Sequence, residues 1–190
     1  MEENYKLEKE YKVPAKLFSE AYLEFQKKFV YPKTRIYTAL FAAAAVVIFI
    51  FGAAAMNDAT DTKKYLTYLA FMIACALAVR EWYNPRKRRR NFTESVRTLG
   101  EPVYRIGIAD KFVDISTVSD DLEDLPDEEK EDALDDDPLP EKTRLEINDS
   151  FQLLEYDSFF LLIPGKEMLY ILPKEGFSEE ELKTVREIKK

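Results

Sequence analysis

Apolar and polar positions follow three different periods along the chain, and each period predicts a different kind of element. From Asn4 to Val13 they alternate: Tyr5, Leu7, Tyr11 and Val13 fall on one side of a strand and charged residues mostly on the other, with Lys9 alone intruding on the apolar side. Pro14 ends that strand. From Ala15 to Val30 the spacing turns helical. Leu17, Phe18, Ala21, Tyr22, Phe25 and Phe29 make an aromatic-rich face, with Lys16, Glu20, Glu24, Lys27 and Lys28 mostly opposite. Such a helix either lies in a membrane interface or packs on the rest of the protein. Then the periodicity vanishes. Ile36 to Met56 are 21 consecutive uncharged, mostly apolar residues, long enough as a helix to cover ~31 Å of hydrocarbon. Tyr65 to Val79 is a second such run, and at ~22 Å it is short for a full crossing. Arg80, Glu81, Trp82 and Tyr83 lengthen it by about one turn. Arg80 can snorkel, and Trp82 and Tyr83 are the rings expected at a headgroup boundary.

The pattern therefore predicts an amphipathic helix in 14–35, transmembrane helices at 36–56 and 65–83, and a short loop at 57–64 between them. A hairpin buried in a soluble core would keep one polar face, which Ile36–Met56 lacks. A cleaved signal peptide would begin earlier and carry a shorter apolar run. Lys27, Lys28, Lys33 and Arg35 precede the first span, and Arg80, Arg86, Lys87, Arg88, Arg89 and Arg90 follow the second. The loop holds only Lys63 and Lys64, beside Asp58 and Asp61. That asymmetry predicts a multi-pass protein of the cell membrane with both termini in the cytoplasm. Ala70, Ala74 and Ala78 recur every four residues, a candidate packing face either for the partner helix of the same chain or for a second copy. No ionisable residue occurs within 36–56 or 65–79, which argues against an ion-coupled transporter.

Beyond the basic juxtamembrane segment 84–102 the pattern returns to short strands. Val103–Ile108 and Phe112–Thr117 flank a turn at Ala109-Asp110-Lys111, and Thr143–Ile147, Phe151–Tyr156, Phe159–Ile163 and Met168–Leu172 follow, separated by tight turns. Ser178-Glu179-Glu180-Glu181 is a capping box opening a last helix with a Leu182, Val185, Ile188 stripe. One early strand, six later ones and a closing helix predict an α+β protein: a small β-sandwich or open barrel plugged by a helix, with the membrane hairpin inserted between its first strand (1–13) and the remainder (103–190).

The layout resembles the YcxB-like family of small bacterial membrane proteins. The likeness is carried mainly by the tail after Phe151: a strand ending in Glu155, an apolar strand, a second apolar strand closing on Ile171-Leu172-Pro173-Lys174, and a Phe177-Ser178 helix start. The resemblance implies an inner-membrane protein with a pleckstrin-homology-like cytoplasmic domain of seven strands and a C-terminal helix, and no known catalytic activity. The chain departs from the family in lacking a Trp shortly before the Glu-bearing strand, and in its long acidic insertion.

That insertion, 119–141, holds 13 acidic residues and one Lys; the whole chain is net −8, so the remainder is net +4. It predicts a solvated, disordered loop, or a docking tail for a basic partner with Leu122, Leu125, Leu134 and Leu139 as anchors. Removing it is expected to leave folding and insertion intact. The Asp135-Asp136-Asp137 run lacks the spacing and turn Gly of a calcium loop. With no His, one Cys (Cys75) and five Gly, His-based acid–base chemistry, Cys/His zinc sites, phosphate-cradling loops and disulfides within one chain have no residues to build them. No catalytic residue, metal or cofactor is expected. Arg86, Lys87, Arg88, Arg89 and Arg90 are read as a topology anchor, or more sharply as contacts to anionic lipid; nucleic acid is a poor partner because the rest of the cytoplasmic surface is acidic. The expected function is a non-enzymatic adaptor that presents its cytoplasmic domain to a membrane-associated protein, or alternatively an anionic-lipid-sensing or membrane-organising protein.

Overall fold

The alternating start of the chain forms β1 (Leu7–Lys12), and its partner β2 (Val103–Ile108) lies on the far side of the apolar hairpin in sequence. The computed structural model describes residues 5–55, 60–98, 102–119, 142–165 and 168–188; the acidic segment expected at 119–141 lies, apart from Ser119, outside them. The described residues form an α+β protein with antiparallel sheets, divided into two compact units: residues 1–22 with 92–190, and residues 23–91.

In the first unit one sheet has the order β1-β2-β3-β4, with β3 at Phe112–Ser119 and β4 at Lys142–Glu146. Leu7 faces Ile108 and Lys12 faces Val103. The β2–β3 ladder shifts at Val103/Tyr104, which takes up one extra residue of β3. The second sheet has the order β5-β6-β7: Gln152–Glu155, Phe159–Ile163 and Tyr170–Pro173. β6 is buried at all five positions. Because side chains alternate along a strand, both of its faces are covered, which is why it reads as an unbroken apolar run. A final helix, α4 (Glu179–Glu187), opens on the expected capping box: the Ser178 hydroxyl accepts from the Glu181 amide and the Glu181 carboxylate accepts from the Ser178 amide. It buries Leu182 and Val185, and Ile188 just beyond it.

The helical segment is longer than the apolar runs. α1 (Ala15–Phe25) continues through a π-helical turn at Gln26–Val30 into α2 (Tyr31–Ala55), giving 41 residues without a break. α3 (Asp61–Thr98) has 38 residues and runs straight through Pro85. The expected spans 36–56 and 65–83 fall inside these two helices, and both helices are long and apolar enough to cross a membrane. The amphipathic stretch and the basic juxtamembrane segment are helical extensions of them.

Candidate functional site

In the second unit the shielded positions of α2 are Tyr31, Thr34, Thr38, Phe41, Ala45, Ile48 and Gly52. Those of α3 include Lys64, Thr67, Phe71, Ala74, Ala78, Glu81 and Pro85. Both series advance by alternating steps of three and four, the 3.5-residue period of coiled-coil packing. Gly52 meets Thr67: a Cβ on Gly52 would lie 2.5 Å from Thr67 Cγ2, so only glycine admits this approach. Seven residues along each helix, the two buried alanines Ala45 and Ala74 stand at matching positions. The Phe49 and Phe71 rings are 5.9 Å apart. Of the candidate packing residues, Ala74 is buried, Ala78 half-buried and Ala70 exposed. A strict four-residue step drifts around a helix, whereas the 3.5 period stays on the seam.

Small and polar groups fill this seam, while the outer surface is apolar. Ile36, Leu40 and Phe51 on α2, and Leu66, Met72 and Val79 on α3, are all more than half exposed. That distribution is the reverse of a water-soluble hairpin, and suits a hydrocarbon solvent in which close packing and interhelical hydrogen bonds hold helices together. The π-helical turn carries the most constrained polar contact. Gln26 is 1% exposed; its Nε2 donates to the Pro85 carbonyl at 2.7 Å, and Tyr31 Oη donates to its Oε1 at 3.3 Å.

The basic residues occupy the helix surface beside that contact. Arg86 stacks on the Trp82 ring, 4.1 Å from its centroid, and its Nη1 donates to the Trp82 carbonyl. Lys28 lies over Phe29 and Arg35 over Tyr31. Lys27 pairs with Glu24 at 2.6 Å and Arg80 with Glu81 at 3.2 Å. Lys87 and Arg88 are exposed and have no ion-pair partner among the described residues; Arg90 is exposed and Arg89 half-buried. Consecutive residues turn by ~100° around a helix axis. Arg86 to Arg90 therefore surround α3 as a collar rather than line one pocket, a geometry fitted to a charged plane more than to a single headgroup.

The β-rich unit concentrates its charges in two ion-paired clusters. Asp114 is 3% exposed and accepts from Tyr5 Oη, from Arg144 Nε and Nη2 (2.8 Å each) and from Lys142 Nζ at 3.0 Å. Burial pushes its pKa up, but the hydrogen bonds from Arg144, Lys142 and Tyr5 outweigh it and hold the carboxyl at about 2. Glu155 accepts from Arg186 and Lys174, at 2.8 Å each; chiefly through Arg186, its pKa also falls to about 2. The Glu155 and Lys174 of the tail motif are thus joined to each other and to α4. Both clusters are saturated by their own partners, and no group of three or more His, Cys, Asp or Glu suited to a metal ion occurs among the described residues. Gln26, the seam and the Trp82–Arg86 stack were not singled out from the sequence. The signal for the seam was available: in lipid, Thr34, Thr38, Gly52 and Thr67 are the residues that belong inside.

Comparison with protein-family models, with curated proteins and with solved structures found no match to this chain in any of the three.

Proposed function

We propose that the chain is a two-span membrane protein with both termini at the cytoplasmic face, and that it works by binding, its basic collar engaging the anionic lipids of that leaflet. The β-rich unit, read here as pleckstrin-homology-like in keeping with the YcxB-like resemblance, is held at the same surface. Of the two binding roles expected from the sequence, lipid contact has a named set of residues behind it and takes precedence over the protein-adaptor role. The observation that carries the reading is the collar itself: Arg86 to Arg90 wrap every side of α3 next to Trp82, with Lys87 and Arg88 unpaired among the described residues. Each such charge near an anionic leaflet contributes roughly 1 kcal/mol of attraction.

The test uses the full chain in nanodiscs that mix phosphatidylglycerol and phosphatidylcholine, with the retained lipids counted by native mass spectrometry. Wild type should retain phosphatidylglycerol preferentially. The preference should vanish when Arg86, Lys87, Arg88 and Arg90 are changed to Gln, and weaken as salt rises toward about 0.5 M. Equal retention of the two lipids by wild type would remove the lipid reading, and a C-terminal reporter that reads as extracytoplasmic would remove the topology.

A further inference from the structure

The two sheets of the β-rich unit part at one end around a cavity of about 450 Å³, within the usual ~300–1,000 Å³ of small-molecule sites. Its walls come from Phe18, Val96, Ile115, Leu169 and Ile171, with the 60%-exposed Met168 among its lining residues. Five hydroxyls also line it: Tyr11, Tyr104, Tyr170, Thr117 and Thr143. None of the lining residues carries a charge.

Tyr11 is the informative member. It is 8% exposed, its ring is tilted against that of Tyr104 with centroids 5.8 Å apart, and its hydroxyl makes no hydrogen bond among the described residues. No fully buried side-chain oxygen among those residues lacks a partner, so this hydroxyl reaches open space. Burial, and after it the neighbouring Tyr104 and Tyr170, push its titration upward, so it stays a neutral donor. A site of this kind specifies its ligand by exclusion. A charged head would be buried without a counter-ion. A bare hydrocarbon would cover the Tyr11 hydroxyl and leave it unsatisfied. A two-chain phospholipid exceeds the volume.

We propose that this cavity binds a neutral single-chain lipid of the monoacylglycerol class, its tail against Phe18, Ile115 and Ile171 and its glycerol hydroxyls on Tyr11 and the neighbouring threonines. The proposal rests on the lining of the cavity and is independent of the basic collar. The full chain is placed in phosphatidylcholine nanodiscs, where the collar has no anionic lipid to engage, with a monoacylglycerol carrying a diazirine on its tail. After irradiation the adducts are mapped by mass spectrometry. Labelling is expected on 168–171 and on 115–117. Unlabelled monoacylglycerol should compete roughly tenfold better than the matching fatty acid or alkane. Tyr11→Phe should erase the advantage over the alkane while leaving tail labelling in place, and Thr143→Phe, which fills the cavity from its edge, should abolish labelling. Adducts confined to 36–56 and 65–83, fatty acid or alkane competing as well as the glycerol ester, or an advantage unchanged in Tyr11→Phe would each overturn the proposal.

Discussion

Single residues in the β-rich unit carry more than their side-chain type announces. Asp114 is buried with three donors around it, and Tyr5 reaches it by lying across Gly107, where a Cβ would come within 2.7 Å of the Tyr5 ring. Asp114→Asn removes the charge but not the volume and leaves Arg144 and Lys142 facing a neutral amide. The expected loss is about 2 kcal/mol, less than for a fully buried pair because both cations are partly exposed, measurable by chemical unfolding of the reconstituted chain. The pH dependence has a definite sign. A carboxylate whose folded pKa is about 2 stabilises the fold above its ordinary range and ceases to do so as pH falls through that range toward 2. The thermal midpoint should therefore drop in acid, and the drop should shrink in Asp114→Asn. Lys9 shows what the alternation pattern leaves open. It occupies an inward position of β1 because Glu181 of α4 accepts its proton at 2.7 Å and the Phe177 ring lies beneath it, 4.8 Å away. A strand pattern cannot foresee a partner 172 residues away in sequence.

At the scale of elements, the hairpin is decided by which face of each helix turns inward. The apolar runs are plain in the sequence, but where nearly every residue is hydrophobic the composition gives no direction to a face. Alanine spacing alone selects Ala70, Ala74 and Ala78, whereas packing selects Thr67, Phe71, Ala74 and Ala78. In a Cys75→Ala background, the pair Ala45→Cys and Ala74→Cys should form a disulfide readily under mild oxidation in nanodiscs, and Ala45→Cys with Ala70→Cys should not. Gly52→Ala should weaken the hairpin in a detergent-unfolding assay, since its Cβ meets Thr67 Cγ2. Adding Thr67→Ser, which deletes that methyl group, should restore most of the loss. The strands tell a complementary story. Val103–Ile108 and Phe159–Ile163 are found with the bounds the pattern gives. The last strand begins at Tyr170 rather than Met168, because ladder partners rather than apolar character fix where a strand starts.

For the molecule as a whole, the charge distribution and the chain path separate what each part does. The chain is net −8, but the helix collar is basic and residues 119–141 hold most of the acid. Replacing 120–141 by a short Gly-Ser turn would join β3 directly to β4, already neighbours in the sheet with Ser116 opposite Lys142. The thermal midpoint of the β-rich unit should be unchanged within a degree or two, about the effect of an exposed-surface change; a collapse of the midpoint would make the segment part of the fold. The sequence by itself determined the two long apolar helices, the basic flanks, the capped last helix and the mostly β remainder, because periodicity, uncharged length and capping chemistry are local properties. Only the tertiary structure decided that β1 closes against β2 across the hairpin, that a 3.5-residue seam joins α2 to α3, that Gln26 meets Pro85, and that five hydroxyls converge on an uncharged cavity. Each of these depends on residues brought together from distant parts of the chain, and a linear pattern carries no information about which distant groups will share a volume.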